Sequence, residues 1–212
     1  MAVINVFEQI GAVGRAVVSE TREAGTARVL TISQRYEAEI HDVWDACTNA
    51  ERLPRWFLPV SGDLELGGRY QLEGNAGGTV QRCDPPKSFR ATWEYGGETS
   101  WIELRLSTEP GGGTLFELEH SSYEDDERWS EYGPGAGGVG WDLGLLGLAL
   151  HLGTTTGLDP EAVMEWVASA DGKEFMTRSS ESWYEANLAS GADTEAARAA
   201  ADRTTAAYTA EG

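Results

Sequence analysis

Two histidines stand where a side chain could do chemistry. His120 closes the alternating run TLFELEH on the side of Phe116 and Leu118, and His151 continues a row of glycines, Gly140, Gly144 and Gly147, along an apolar helix. If both point into one cavity, a histidine there can orient a polar ligand group or act as acid or base. The competing reading is a hydrogen-bonded histidine near the surface. The third histidine, His41, adjoins a charged helix start and is expected in solvent. Three histidines and two cysteines, Cys47 and Cys83, form no plausible zinc set, and neither cysteine belongs to a CxxC pattern. The chain also lacks HExxH, a nucleophile elbow and a phosphate loop; GNAGG at 74–78 lies between strands and reads as a hairpin turn. No catalytic residue, metal or cofactor is therefore assigned.

The element that must carry His151 is GVGWDLGLLGLALHLG, residues 138–153, the most apolar run in the chain. At 3.6 residues per turn Trp141, Leu145, Leu148 and Leu152 form one flank, and Val139, Leu143, Leu146 and Leu150 the other. Asp142 and Ala149 are left as its water face. Each glycine inside a helix costs about 1 kcal/mol relative to alanine. The row between the flanks is thus either a cavity wall or a place where another backbone comes close. A membrane span needs about 20 apolar residues, and this run is shorter and carries Asp142 and His151.

The element that must carry His120 is a sheet. Short strands with turn signals between them run through DLELGGRYQLEG, GGTVQRC, KSFRATWEY, SWIELRLS and TLFELEH, an antiparallel meander. Alternation puts Phe89, Ala91, Trp93 and Tyr95 on one face, with Ile102, Leu104 and Leu106, and Phe116, Leu118 and His120. Arg90, Glu94, Glu103, Arg105, Glu117 and Glu119 take the other. The apolar face needs a cover, which the 138–153 helix supplies. Trp93 and Trp141 are the aromatic residues best placed to line a ligand space between them.

Before the sheet, Val6, Ile10 and Val13 predict a short amphipathic helix, and residues 15–36 a hairpin turning at Ala24-Gly25. Ile40, Val43, Trp44 and Cys47 predict a helix broken at Thr48-Asn49, followed by a short one with Leu53, Trp56 and Phe57. Residues 121–138 read as an acidic, glycine-rich loop, either a lid carrying Tyr123, Trp129 and Tyr132 or a solvated connector. After Thr156 the chain is helical, opening with Asp159-Pro160-Glu161 as N-cap and first turn. The alanine-rich tail has little to bury. Trp166, Phe175 and Trp183 need burial somewhere, so these helices are expected outside the sheet domain or on a second subunit, as a homodimer.

The motifs VWDACTNAERLPRWFLP, LGGRY, CDPPKSFRATWEY, GGTLFELEH and GWDLGLLGLALHL together resemble the activator of heat-shock protein 90 ATPase homologue family of the START-like (SRPBCC) superfamily. The resemblance covers residues 28–153. It implies an α+β, helix-grip (START-like) fold, a curved antiparallel sheet wrapped around a long C-terminal helix, here with additional C-terminal helices. Residues 1–27, a helix and an extra hairpin arm, and 154–212, a helical extension, lie outside that domain. Related chains often have a proline before the first helix, where this one has Ile40. Many bacterial members of the family consist of the sheet-and-helix domain alone, and the wider superfamily looks like a set of hydrophobic-ligand carriers with some cyclases.

The leading expectation is a cytoplasmic binding protein holding a small hydrophobic or aromatic molecule. The ligand-binding residues are Tyr70, Trp93, Ile102, Leu104, Phe116, His120, Trp141, Gly144, Leu145 and His151. The alternatives are a co-chaperone-like or stress-response interaction module, and a cyclase- or hydrolase-like enzyme using a pocket histidine. A net charge of −19 with no basic stripe disfavours nucleic acid and anionic membrane as partners. The N-terminus lacks the basic n-region of a signal peptide.

Overall fold

The sheet is built as the alternation requires. A computed structural model describes residues 5–22, 25–123, 126–154 and 159–210. Among these residues there are eight strands: β1 (Val13–Arg22), β2 (Gly25–Tyr36), β3 (Val60–Gly62), β4 (Arg69–Leu72), β5 (Gly77–Asp84), β6 (Ser88–Tyr95), β7 (Glu98–Thr108) and β8 (Thr114–Tyr123). Their order is β1-β2-β8-β7-β6-β5-β4-β3, antiparallel from β8 through to β3. The helices are α1 (Val6–Gly11), α2 (Ile40–Thr48), α3 (Asp126–Tyr132), α4 (Gly135–Thr154), α5 (Pro160–Ala168), α6 (Ala170–Ala189) and α7 (Thr194–Thr209). The long α4 and the antiparallel sheet are those of a helix-grip, α+β fold. The Ala24-Gly25 turn expected in the first hairpin lies partly outside the described residues. The chain forms two compact units, one of Ser33–Ser122 with Gly147–Gly157, the other of Met1–Ile32, Tyr123–Leu146 and Leu158–Gly212.

In the first unit, register sorts the side chains by chemistry. Phe89 lies opposite Leu104 and Leu104 opposite Leu118; Ala91 faces Ile102 and Ile102 faces His120; Leu106 faces Phe116. These apolar residues are buried, apart from the half-buried Phe89. The other face pairs Arg90 with Glu103, Glu103 with Glu119, and Arg105 with Glu117. Glu103 receives Arg82, Arg105 at 3.1 Å and Arg90 at 3.8 Å, and Arg105 also reaches Glu117 at 3.3 Å and Glu119 at 2.6 Å. Helix α2 buries Val43, Ala46 and Cys47, and its Trp44 meets Phe89 edge-on at 6.3 Å. The thiol of Cys47 is pushed up to about 12 by burial, which makes it an inert core group.

In the second unit three expectations are corrected. Asp142 is not on a water face. It is 1 % exposed and accepts hydrogen bonds from Arg15 Nε at 3.0 Å, Arg15 Nη2 at 2.6 Å, Ser179 Oγ at 2.6 Å and Trp183 Nε1 at 2.9 Å. The reason is that α6 and β1 cover this side of α4, and no residue from 133 to 152 is exposed. The described residues of 121–138 do not form one long loop. β8 runs on to Tyr123, α3 follows at Asp126, and α4 begins at Gly135. Polar side chains of α7 hold the end of α3: Arg203 donates to the carbonyls of Ser130 at 2.9 Å and Glu131 at 2.6 Å, and Thr204 to that of Tyr132 at 2.9 Å.

The third correction concerns the tail. Ala197, Ala200, Ala201 and Thr204 form a buried stripe on α7, and Ser180 on α6 donates to the carbonyl of Ala201 at 3.0 Å. Small residues give little area each, but they let two helices approach closely. Phe175 and Trp183 are fully buried within the single chain, and Trp166 packs edge-on against Phe175 at 5.7 Å. Two of the three aromatic residues that motivated a dimer are thus covered within one chain, and Trp166 is half-buried.

Two glycines of α4 beside the expected row, Gly135 and Gly138, are tight. A methyl at Gly138 would overlap the Trp183 indole, and one at Gly135 would meet Thr204 at 2.9 Å. At Gly140 the nearest atom would be Tyr208 Oη at 3.5 Å, ordinary contact. Gly138→Ala is therefore expected to cost about 1–3 kcal/mol by overpacking, and Gly140→Ala to gain about 0.5–1 kcal/mol from reduced backbone entropy; thermal melts check the opposite signs. Asp142→Ala leaves Arg15 buried without its partner and is expected to cost about 3–5 kcal/mol in a denaturant titration, whereas the double change Arg15→Met with Asp142→Leu recovers most of that loss. A double variant no better than the single one would show that the ion pair is not the cause.

Candidate functional site

Strand register gathers part of the expected site into one patch. Trp93 on β6 lies opposite Ser100 on β7, and Ile102 two residues on lies opposite His120 on β8. Residues i and i+2 of a strand share a face, so Trp93, Ser100, Ile102 and His120 adjoin one another. Ser100 Oγ and His120 Nε2 share a hydrogen bond of 2.8 Å, and Ser100 Oγ also donates to the Trp93 carbonyl at 3.1 Å. The Trp93 and His120 rings meet edge-on at 5.9 Å. Leu104 and Phe116 continue the same apolar face at 1 % and 4 % exposure.

Burial sets the protonation of His120. Desolvation pushes its imidazole down to about 4, so the ring is neutral at pH 7. It is then a hydrogen-bonding group and a weak base.

Tyr70 has a different task. Its hydroxyl donates to the Thr92 carbonyl at 2.7 Å, reaching from β4 past β5 to β6. Gly78, its partner on β5, leaves room for this, since a methyl there would strike the Thr92 carbonyl. Burial raises the Tyr70 hydroxyl well above its ordinary value, so it stays protonated.

His151, 2 % exposed, is held by a residue that sequence reasoning missed. Arg52 directs Nε at 3.3 Å and Nη2 at 3.2 Å to His151 Nε2. A guanidinium only donates, so this imidazole nitrogen presents its lone pair. The same Arg52 donates through Nη1 to Asp42 Oδ1 at 2.7 Å and Asp45 Oδ2 at 2.9 Å. Its charge is thus matched by two carboxylates, and Asp45 is held below its usual range chiefly by the Arg52 hydrogen bond. The other missed residue, Ser100, shares its parity with Ile102 and Leu104, and strand alternation alone would have placed it. Trp141, Gly144 and Leu145 belong to the other unit, where Trp141 is half-buried and the other two are buried.

Acidification tests the His120 environment. Its folded-state value lies below the ordinary one of about 6.5, so its contribution to stability is complete above pH 6.5 and is lost as pH falls toward 4. Wild type is expected to lose up to about 3 kcal/mol more than His120→Gln between pH 7 and pH 4 in parallel unfolding titrations. Equal losses would mean that the ring is not desolvated.

A family model described as activator of Hsp90 ATPase homolog 1-like protein matches residues 37–152. No curated protein matches the chain. Among solved structures, the crystal structure of CalU16 from Micromonospora echinospora is 36% identical, with a TM-score of 0.63 over 82% of this chain and 98% of that one. The solution structure of CalU16 gives 35% identity and a TM-score of 0.69 over 84% and 97%. Protein MLL2253 from Mesorhizobium loti, at 20% identity and a TM-score of 0.53 over 62% and 100%, shares the fold. Family model and relatives agree with the sheet and long helix described above: the chain belongs to the activator of Hsp90 ATPase homolog 1-like family, within the START-like superfamily.

Proposed function

We propose that this protein is a cytoplasmic binding protein for a small hydrophobic or aromatic molecule, seated on the inner face of strands β6 to β8. The observation that carries this reading is the composition of that face. Trp93, Ile102, Leu104 and Phe116 supply apolar and aromatic area, and the mutually bonded Ser100 and His120 place two polar groups among them. Small-molecule sites combine these two ingredients, an apolar wall and a few placed polar groups. Among the described residues no group of acidic, histidine or cysteine side chains could hold a metal ion, and no helix is long and apolar enough to cross a membrane.

One observation favours a second reading. Ser100 Oγ stands 2.8 Å from His120 Nε2, within reach for a base to activate a hydroxyl nucleophile. Burial argues against it, because an imidazole pushed down to about 4 takes a proton poorly at pH 7.

Native mass spectrometry of freshly purified protein, compared with the same sample after denaturing extraction, tests the first reading. A bound small molecule of defined mass is expected, and Ile102→Asp is expected to abolish its retention. Absence of any adduct, together with no binding across a panel of hydrophobic probes, overturns it. A fluorophosphonate probe that labels Ser100 in wild type and not in His120→Gln would establish the second instead.

A further inference from the structure

The same sheet face also states which kind of ligand it accepts, an inference that rests on the binding reading above. Beside Ser100 and His120 the inward rows of β6 to β8 are apolar or aromatic over Phe89, Ala91 and Trp93, then Ile102, Leu104 and Leu106, then Phe116 and Leu118, while Glu98, Thr108, Thr114 and Ser122 share this parity toward the strand ends. None of these positions carries a lysine or arginine. The arginines of these strands, Arg90 and Arg105, have the opposite parity and are engaged with Glu103, Glu117 and Glu119. Arg52, which reaches the buried His151, is matched by Asp42 and Asp45. A ligand carboxylate on this face would therefore lose its hydration with no cation to answer it, at a cost far above that of a neutral polar group. A ligand hydroxyl needs only an acceptor, and Ser100 Oγ, whose own proton goes to the Trp93 carbonyl, can accept it beside a neutral imidazole. The Trp93 ring, edge-on to His120, supplies an aromatic surface beside that pair.

We propose that Trp93, Ser100 and His120 form a ligand subsite for an uncharged aromatic molecule bearing a hydroxyl group, and that this subsite rejects carboxylates of the same shape. Burial that keeps the imidazole neutral supports this, since the ring brings no positive charge to an anion.

Calorimetry on the full-length protein at pH 7 with 2-naphthol, 2-naphthoate and 2-methylnaphthalene tests it. 2-Naphthol is expected to bind about tenfold more tightly than either of the others, the effect of one well-placed hydrogen bond. Ser100→Ala and His120→Phe should each remove the preference for 2-naphthol over 2-methylnaphthalene. Naphthoate binding as tightly as naphthol, or a naphthol preference that survives both substitutions, overturns the subsite. If 2-methylnaphthalene binds and naphthol gains nothing, the binding reading stands and the subsite falls. If none of the three binds, both fall.

Discussion

Asp142 is the carboxylate on which one unit of this protein depends. It sits on a helix whose other side chains are apolar apart from His151 and the terminal Thr154, and a charge at such a position is tolerated only when it is paired and hydrogen-bonded. Four donor atoms from three residues meet that need, two on Arg15, one on Ser179 and one on Trp183. They come from β1 and α6, elements far apart in the chain, so the electrostatic requirement of one side chain draws both to α4. Gly138, one turn earlier on α4, completes the arrangement: without a side chain there, the Trp183 indole lies close enough for its N–H to reach the carboxylate. A small residue and a charged one on the same stripe thus serve a single contact.

The sheet unit rests on a simpler constraint. Strand alternation separates its two faces, and each is satisfied by its own chemistry. On the outer face Glu103 is surrounded by three arginines, which shield it and leave its side chain only 11 % exposed. On the inner face the apolar rows are interrupted where Ser100 and His120 bond to each other. Tyr70 ties β4 to β6 independently of the strand ladder, its hydroxyl permanently committed to a backbone carbonyl. Tyr70, one of the residues expected to meet a ligand, thereby also braces the sheet.

The strands, the inward rows and the helix at Ile40–Thr48 were legible in the sequence, because period-two and period-3.6 patterns are local. Trp93 and His120 were legible for the same reason, and Ser100 would have been had its parity been followed. Arg52 was not: its partner His151 lies 99 residues away, and nothing in AERLPRW announces it. Nor was the role of Asp142, whose donors are 127, 37 and 41 residues distant. The connector was misread because the stability of α3 comes from Arg203 and Thr204, which cap its last carbonyls from another helix. The alanine tail was misread because its packing depends on closeness rather than on bulky apolar side chains.

The Asp142 contacts tie the long helix of this chain to the segment that follows it. The family pattern ends near residue 152, before α6 begins. Two of the four donor atoms on the carboxylate, those of Ser179 and Trp183, come from α6. In this chain the aspartate and the helix that covers it are therefore one physical unit: removing α6 would strand a charge inside an otherwise apolar stretch.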